Sequence, residues 1–250
     1  MKVIVVSTYE EMSRVAAETV AEVVRNTPNP TLGLATGSTP IGMYRILAEY
    51  FRNKQLSFAD ATSVNLDEYV GLGEKSDQSY VYFMAHNFFD NIDIKRANTH
   101  LPNGLAPDLA AECARYTDFV KAHPQDIQIL GIGSDLQLLG IGLDGHIGFN
   151  EPNTPFDSHT HVVNLAESTI KDNSRLFANI DDVPRQALTM GIGDIMQAKK
   201  VLLLASGANK AKAIAALVNG EVTESVPATV LQRHPDCVVI VDEAAAALIK

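Results

Sequence analysis

Leu136-Gln137-Leu138-Leu139-Gly140-Ile141-Gly142-Leu143-Asp144-Gly145-His146-Ile147-Gly148-Phe149-Asn150-Glu151-Pro152 decides how the rest of the chain is read. Residues 136–143 form an almost continuous apolar run. Such a run reads as a strand buried on both faces, the kind a parallel sheet requires. It passes directly into a glycine-rich turn carrying Asp144, His146 and Glu151. In open α/β sheets, ligands sit just beyond the carboxyl ends of the strands. A histidine flanked by two acids has its proton affinity raised by their charge, which suits it to proton transfer near neutral pH. The plainer reading is a polar loop whose His and Asp bond each other. Three titratable groups after one buried strand favour a site.

The same signature recurs outward from this stretch. Residues 3–6 and 31–35 read as buried strands, with a helix between them that Thr8 caps and that ends near Asn26. Thr36-Gly37-Ser38-Thr39-Pro40 follows the second strand and opens a helix over residues 41–52. Free amides and the positive end of a helix dipole at a hydroxyl-rich turn make an anion site. Simple capping of the helix uses the same residues, and the two readings coexist. The turn has neither of the nucleotide-binding glycine patterns, so a nucleotide is not implied.

Residues 62–66 read as a third strand, ending in Asp67-Glu68-Tyr69. These acids fall at the rim of a parallel sheet, although Asp67 could instead cap the next turn. Helices are expected over 79–89 and 107–123, the latter with Cys113 turned inward. Residues 126–133 are a fourth strand, 136–143 a fifth, and 159–165 a strand toward the sheet edge. Residues 186–199 contain Gly191 and Gly193 and then a short helix. Another strand, 201–205, leads into Ser206-Gly207-Ala208-Asn209-Lys210 and a further helix. A lysine at a helix start opposes the dipole, and a bound anion would remove the objection. A solvated lysine is the alternative. A short helix over 227–234, a strand over 238–241 and a helix over 242–249 close the chain. The predicted fold is α/β: a single domain over residues 1–250 with a mostly parallel, doubly wound sheet between helical layers.

Composition narrows the function. The 250 residues are 46% hydrophobic and 20% charged, with a net charge of −10. That balance argues against a nucleic-acid or anionic-membrane binder. No apolar run approaches the ~18 residues of a membrane span. The N-terminal run is too short and too strand-like for a signal peptide. With only Cys113 and Cys237, neither a disulfide framework nor a zinc site is expected. A cytoplasmic enzyme without metal or cofactor is the expectation.

Three motifs then carry a specific resemblance. Residues 65–69, 142–152 and 206–211 closely resemble the glucosamine-6-phosphate deaminase family, in order and spacing, over essentially the whole chain. The resemblance implies a modified Rossmann-like fold. It also implies conversion of glucosamine 6-phosphate and water to fructose 6-phosphate and ammonia, in amino-sugar catabolism, by an enzyme of hydrolase/isomerase type. By position, Asp67 resembles the general base that moves a proton from C2 to C1. His146 resembles the acid/base that opens the pyranose ring, with Asp144 and Glu151 holding its tautomer. Thr36, Gly37, Ser38, Thr39, Arg175 and Lys210 resemble the phosphate grip, and residues 165–185 a lid. Aldose–ketose chemistry needs a carboxylate base and a separate ring-opening acid, and needs no metal.

One departure is informative. Larger members carry basic residues soon after the Glu-Pro pair, which bind allosteric N-acetylglucosamine 6-phosphate between subunits. Here those places hold His161 and Val163, with Thr154 and Phe156 nearby. The expectation is therefore no such activation and a monomer, with a homo-oligomer as the alternative. Two other functions compete. A 6-phosphogluconolactonase-like hydrolase would leave Asp67 without a task. A non-catalytic sugar-phosphate sensor would want a DNA-binding helix pair, for which the early first strand leaves no room.

Overall fold

The computed structural model describes residues 1–132 and 145–249, apart from 166–169, 171–173, 175, 176 and 178. The expected fifth strand over 136–143, Asp144, Arg175 and part of the expected lid lie outside the described residues. In chain order the strands are β1 (Lys2–Val6), β2 (Thr31–Leu34), β3 (Thr62–Asn65), β4 (Asp67–Tyr69), β5 (Thr99–His100), β6 (Ile127–Gly131), β7 (His161–Asn164), β8 (Gln186–Thr189), β9 (Val201–Ala205) and β10 (Cys237–Asp242). The longer helices are α1 (Tyr9–Asn26), α2 (Ile41–Arg52), α3 (Tyr80–Asn87) and α4 (Leu109–Ala122). Helix 211–219 packs beside the C-terminal helix 243–246.

Among the described residues, seven strands form one sheet in the order β1-β10-β9-β6-β2-β3-β5, and every pairing in it is parallel. The apolar runs explain this. Val201 to Ala205 are all buried, as are Ile127, Ile129 and Leu130, so both faces of the sheet must be covered. Helix α1 supplies part of that cover. Thr8 starts it by accepting the Glu11 amide, and its face of Met12, Ala16, Ala17, Val20, Ala21 and Val24 is buried. Each fully buried Val or Met side chain contributes roughly 1.5–3 kcal/mol. From β2 the sheet grows one way through β3 and β5. From β6, its other neighbour, it grows the opposite way through β9. The carboxyl ends of β2 and β6 therefore flank a topological switch point, where a doubly wound sheet opens a crevice.

Two sequence expectations are corrected here. Residues 159–165 do contain a strand, but it does not edge the main sheet. β7 pairs antiparallel with β8, and β8 with β4, in a separate three-stranded sheet. Gln186–Thr189, a stretch the sequence does not mark as a strand, is its central strand. Cys113 is only half-buried, and Glu112 takes the inward place on α4. The Glu112 carboxylate accepts the Asn103 amide at 2.8 Å and two Arg115 nitrogens at 2.6 and 2.7 Å, which offsets its desolvation. The small sheet has its own cluster, in which Tyr69, Leu165, Ile170, Val183 and Ala187 are buried. Leu66 joins the two sheets: its amide donates to Leu34 of β2, and its carbonyl accepts from Met190 just after β8.

Candidate active site

The first wall of the crevice is the turn after β2. Gly37 has φ +91°, a conformation that disfavours any residue with a Cβ. The Tyr9 hydroxyl, on α1, lies 3.1 Å from the carbonyl oxygens of both Ser38 and Thr39 and accepts the Gly42 amide at 2.9 Å. The Tyr44 hydroxyl donates to Ala35 O at 2.7 Å. The turn's carbonyls are thus engaged behind it. The amides of Gly37, Ser38 and Thr39 meet no acceptor among the described residues. Pro40 caps α2 without a side-chain bond, and the Tyr9 hydroxyl takes up only the Gly42 amide of its first turn.

Across the crevice, Lys210 ends the short turn Ala208–Lys210 after β9. Asp242, the last residue of β10, anchors that turn by accepting the Ser206 hydroxyl and the Gly207 amide, and it also caps Ala245. Burial alone would raise the Asp242 carboxyl. The bonds from Ser206, Ala245, Gly207 and Ala244 outweigh it and hold the group below the usual range.

The third wall is β4. Side chains alternate along a strand, so Asp67 and Glu68 leave opposite faces. Both are buried, at 7% and 1% exposure. Burial first, and the negative charge of Glu68 second, push the Asp67 carboxyl up to about 8, against the opposing pull of His146. Glu68 faces the start of α3. Its Oε1 accepts the Tyr69 and Tyr80 amides at 2.8 and 2.9 Å, and its Oε2 accepts the Val81 amide at 2.9 Å. Tyr80, so placed, lines the crevice together with Thr36, and its ring packs on Tyr69 with centroids 4.7 Å apart.

The fourth wall is the turn 145–150. Phe149 donates its amide to Thr189 Oγ1 at 3.1 Å, and Asn150 Nδ2 donates to Ile147 O and Met190 O, each at 2.8 Å. Gly148 has φ +58°, and a Cβ there would lie 3.0 Å from Thr189 Oγ1 and 3.7 Å from Asp67 Oδ2. Glycine is what lets the turn pass so close to the carboxylate. Thr189 pairs with Asp67 across β4 and β8, so one residue spaces the imidazole turn from the acid.

These walls enclose a cleft of about 350 Å³. Seven of the ten site residues read from the sequence line it: Thr36, Gly37, Ser38, Thr39, Asp67, His146 and Lys210. Glu151 is half-buried at the end of the turn and is not a lining residue. Asp144 and Arg175 lie outside the described residues. Sequence reasoning missed Tyr9, Glu68, Tyr80 and Thr189. Glu68 had a signal, since an acid beside Asp67 on a strand must point away from it. Tyr9, Tyr80 and Thr189 are ordinary types at ordinary spacings.

Fold and cleft together define a class: a doubly wound α/β protein with a buried acid facing a histidine and anion-ready turns on the same rim. Comparison with known proteins narrows it. Residues 7–240 match the family of glucosamine-6-phosphate isomerases/6-phosphogluconolactonase, and the chain belongs to that family. It is 52% identical over 250 residues to a glucosamine-6-phosphate deaminase of Thermoanaerobacter pseudethanolicus, covering all of this chain and 95% of that one. It is 51% identical over 251 residues to one of Clostridium perfringens, covering both chains in full. A solved monomeric glucosamine-6-phosphate deaminase superposes with a TM-score of 0.93 at 47% identity, covering 99% of this chain and 100% of that one. A 6-phosphogluconolactonase from Trypanosoma cruzi superposes at 0.74 with 18% identity, covering 98% and 96%, a likeness of fold alone.

Proposed function

We propose that this protein converts glucosamine 6-phosphate and water to fructose 6-phosphate and ammonia, and that it does so as a monomer. The observation that carries the reading is the cleft itself, where a desolvated Asp67 and His146 share one space with two anion-ready turns. The relatives at about half identity over the full chain are glucosamine-6-phosphate deaminases, and the solved one is monomeric.

The phosphate is gripped by the amides and hydroxyls of Gly37, Ser38 and Thr39, by the Thr36 side chain, and by Lys210 and Arg175. Remote from the reacting carbons, it supplies binding energy and fixes the sugar's orientation. His146 takes the proton of the C1 hydroxyl and gives one to the ring oxygen, which opens the ring to the aldehyde. Asp144 and Glu151 hold its tautomer. Asp67, ionised beside the substrate's C2 ammonium, takes the C2 proton. As the C2 proton leaves, an ammonium proton passes to the aldehyde oxygen, and the enolamine so formed is protonated at C1 by Asp67, which leaves an imine at C2. Water adds to that imine, the C–N bond breaks, and ammonia leaves behind the ketone. The chemistry is isomerisation joined to deamination, and water enters only at the imine. A carboxylate out of water is a stronger base than one in solution, which a carbon acid requires.

Purified protein given glucosamine 6-phosphate should release ammonia and fructose 6-phosphate in equal amounts. Release of neither, with hydrolysis of 6-phosphogluconolactone instead, would return the lactonase reading.

A further inference from the structure

Glu68 is a buried carboxylate that the reaction above leaves unused. It is 1% exposed, on the far side of β4 from Asp67, and holds the amides of Tyr69, Tyr80 and Val81. Two of those amides open α3, so its charge sits against the helix's positive end. Burial pushes its carboxyl above the usual range, and the three amides pull it only part of the way back. The same bonds seat Tyr80, whose ring packs on Tyr69 of the base strand and which lines the cleft with Thr36 of the phosphate turn.

We propose that Glu68 is a positioning residue for the reaction: a fixed negative charge behind Asp67 that also lodges Tyr80 between the base strand and the phosphate turn. The proposal rests on reading Asp67 as the base. Among the described residues, the groups facing Asp67 are Glu68 from its own strand, His146 from the turn 145–150, Tyr80 from α3 and Tyr116 from α4. β8 offers only the neutral Thr189, and Lys210 stands on the opposite lip. Glu68 is the anion of this set, and its charge opposes ionisation of Asp67, making it the stronger base once ionised.

The test is the pH profile of kcat/KM for Glu68→Gln beside Ser79→Ala. Ser79 caps the same helix through the Tyr82 amide, so its loss weakens α3 without removing the charge. Removing the charge should move the acid limb of Glu68→Gln down by about one pH unit and lower its plateau a few-fold. Ser79→Ala should keep the wild-type limb. A Glu68→Gln limb that coincides with wild type, or a Ser79→Ala limb that moves equally, overturns the proposal. If the glutamine variant does not fold, carboxyl NMR of the wild type decides. Glu68 should stay ionised throughout the range in which Asp67 titrates. Glu68 taking up its proton in that range overturns the proposal as well. Wild-type protein that releases no ammonia sinks the functional reading instead, so the two failures are distinguishable.

Discussion

Asp67 concentrates the site's cost and its use in one side chain. Its carboxyl, ordinarily near 3.8, is pushed up to about 8 by burial and by Glu68. A group raised on folding stabilises the protein fully below its unfolded value, and that contribution is lost as pH rises through the folded value. Asparagine is never charged and escapes the loss. Asp67→Asn should therefore unfold at a higher temperature than wild type near pH 9. A gap of ~2 kcal/mol, roughly 5 °C for a chain of this size, is expected, and it should shrink toward pH 5. The same variant should bind fructose 6-phosphate within a few-fold of wild type and lose about 1,000-fold in kcat. Calorimetry across pH, set beside the kinetics, checks both halves. Near wild-type turnover would remove Asp67 from the role of base. Asp67 and His146 were legible in the sequence as candidates because titratable groups directly after apolar runs have little to do in packing. Glu68 was not singled out, because the adjacent pair was read as one acidic feature rather than as two faces of a strand.

The elements differ in how openly they announce themselves. The parallel strands are written in runs such as Val201 to Ala205, which nothing but a sheet covered on both faces would bury. The second sheet is not. Its strands are Asp67–Tyr69, His161–Asn164 and Gln186–Thr189, three or four residues each and rich in polar groups. β4 joins the other two through Leu66 and Thr189, in contacts across more than a hundred residues that no local pattern encodes. The phosphate turn lies between these cases. Its composition marks it as an anion site, but the brace behind it comes from another helix. Tyr9 meets three backbone groups of that turn and of α2 with one oxygen. Tyr9→Phe keeps the ring and removes the brace. The loss of about 1 kcal/mol should appear as a roughly five-fold rise in KM for the sugar phosphate, with kcat within two-fold. A fall in kcat at unchanged KM would mean that the brace serves the reacting carbons rather than the phosphate.

At the scale of the whole molecule, the cleft is the seam between two sheets. The turns after β2 and β9 sit on the parallel sheet, while Asp67 belongs to the antiparallel one. His146 comes from a turn fastened to the end of β8 through Thr189 and Asn150. All of these groups come from one chain, which is what the proposed monomer requires. The large hydrophobic side chains exposed among the described residues are Met1, Val5, Tyr82, Leu105, Ile180 and Leu248, spread over distant parts of the sequence. A stable interface usually concentrates its apolar side chains in one patch. The places after the Glu-Pro pair, which in larger relatives hold the basic residues for an allosteric sugar phosphate, are His161 and Val163. The expected result is a particle of 27.0 kDa by light scattering. Its specific activity should be constant on dilution to nanomolar concentration, and its rate hyperbolic in substrate. N-acetylglucosamine 6-phosphate should act as a competitor at most. Sigmoidal rates that this ligand straightens, or activity lost on dilution, would mean that a second subunit completes the site after all.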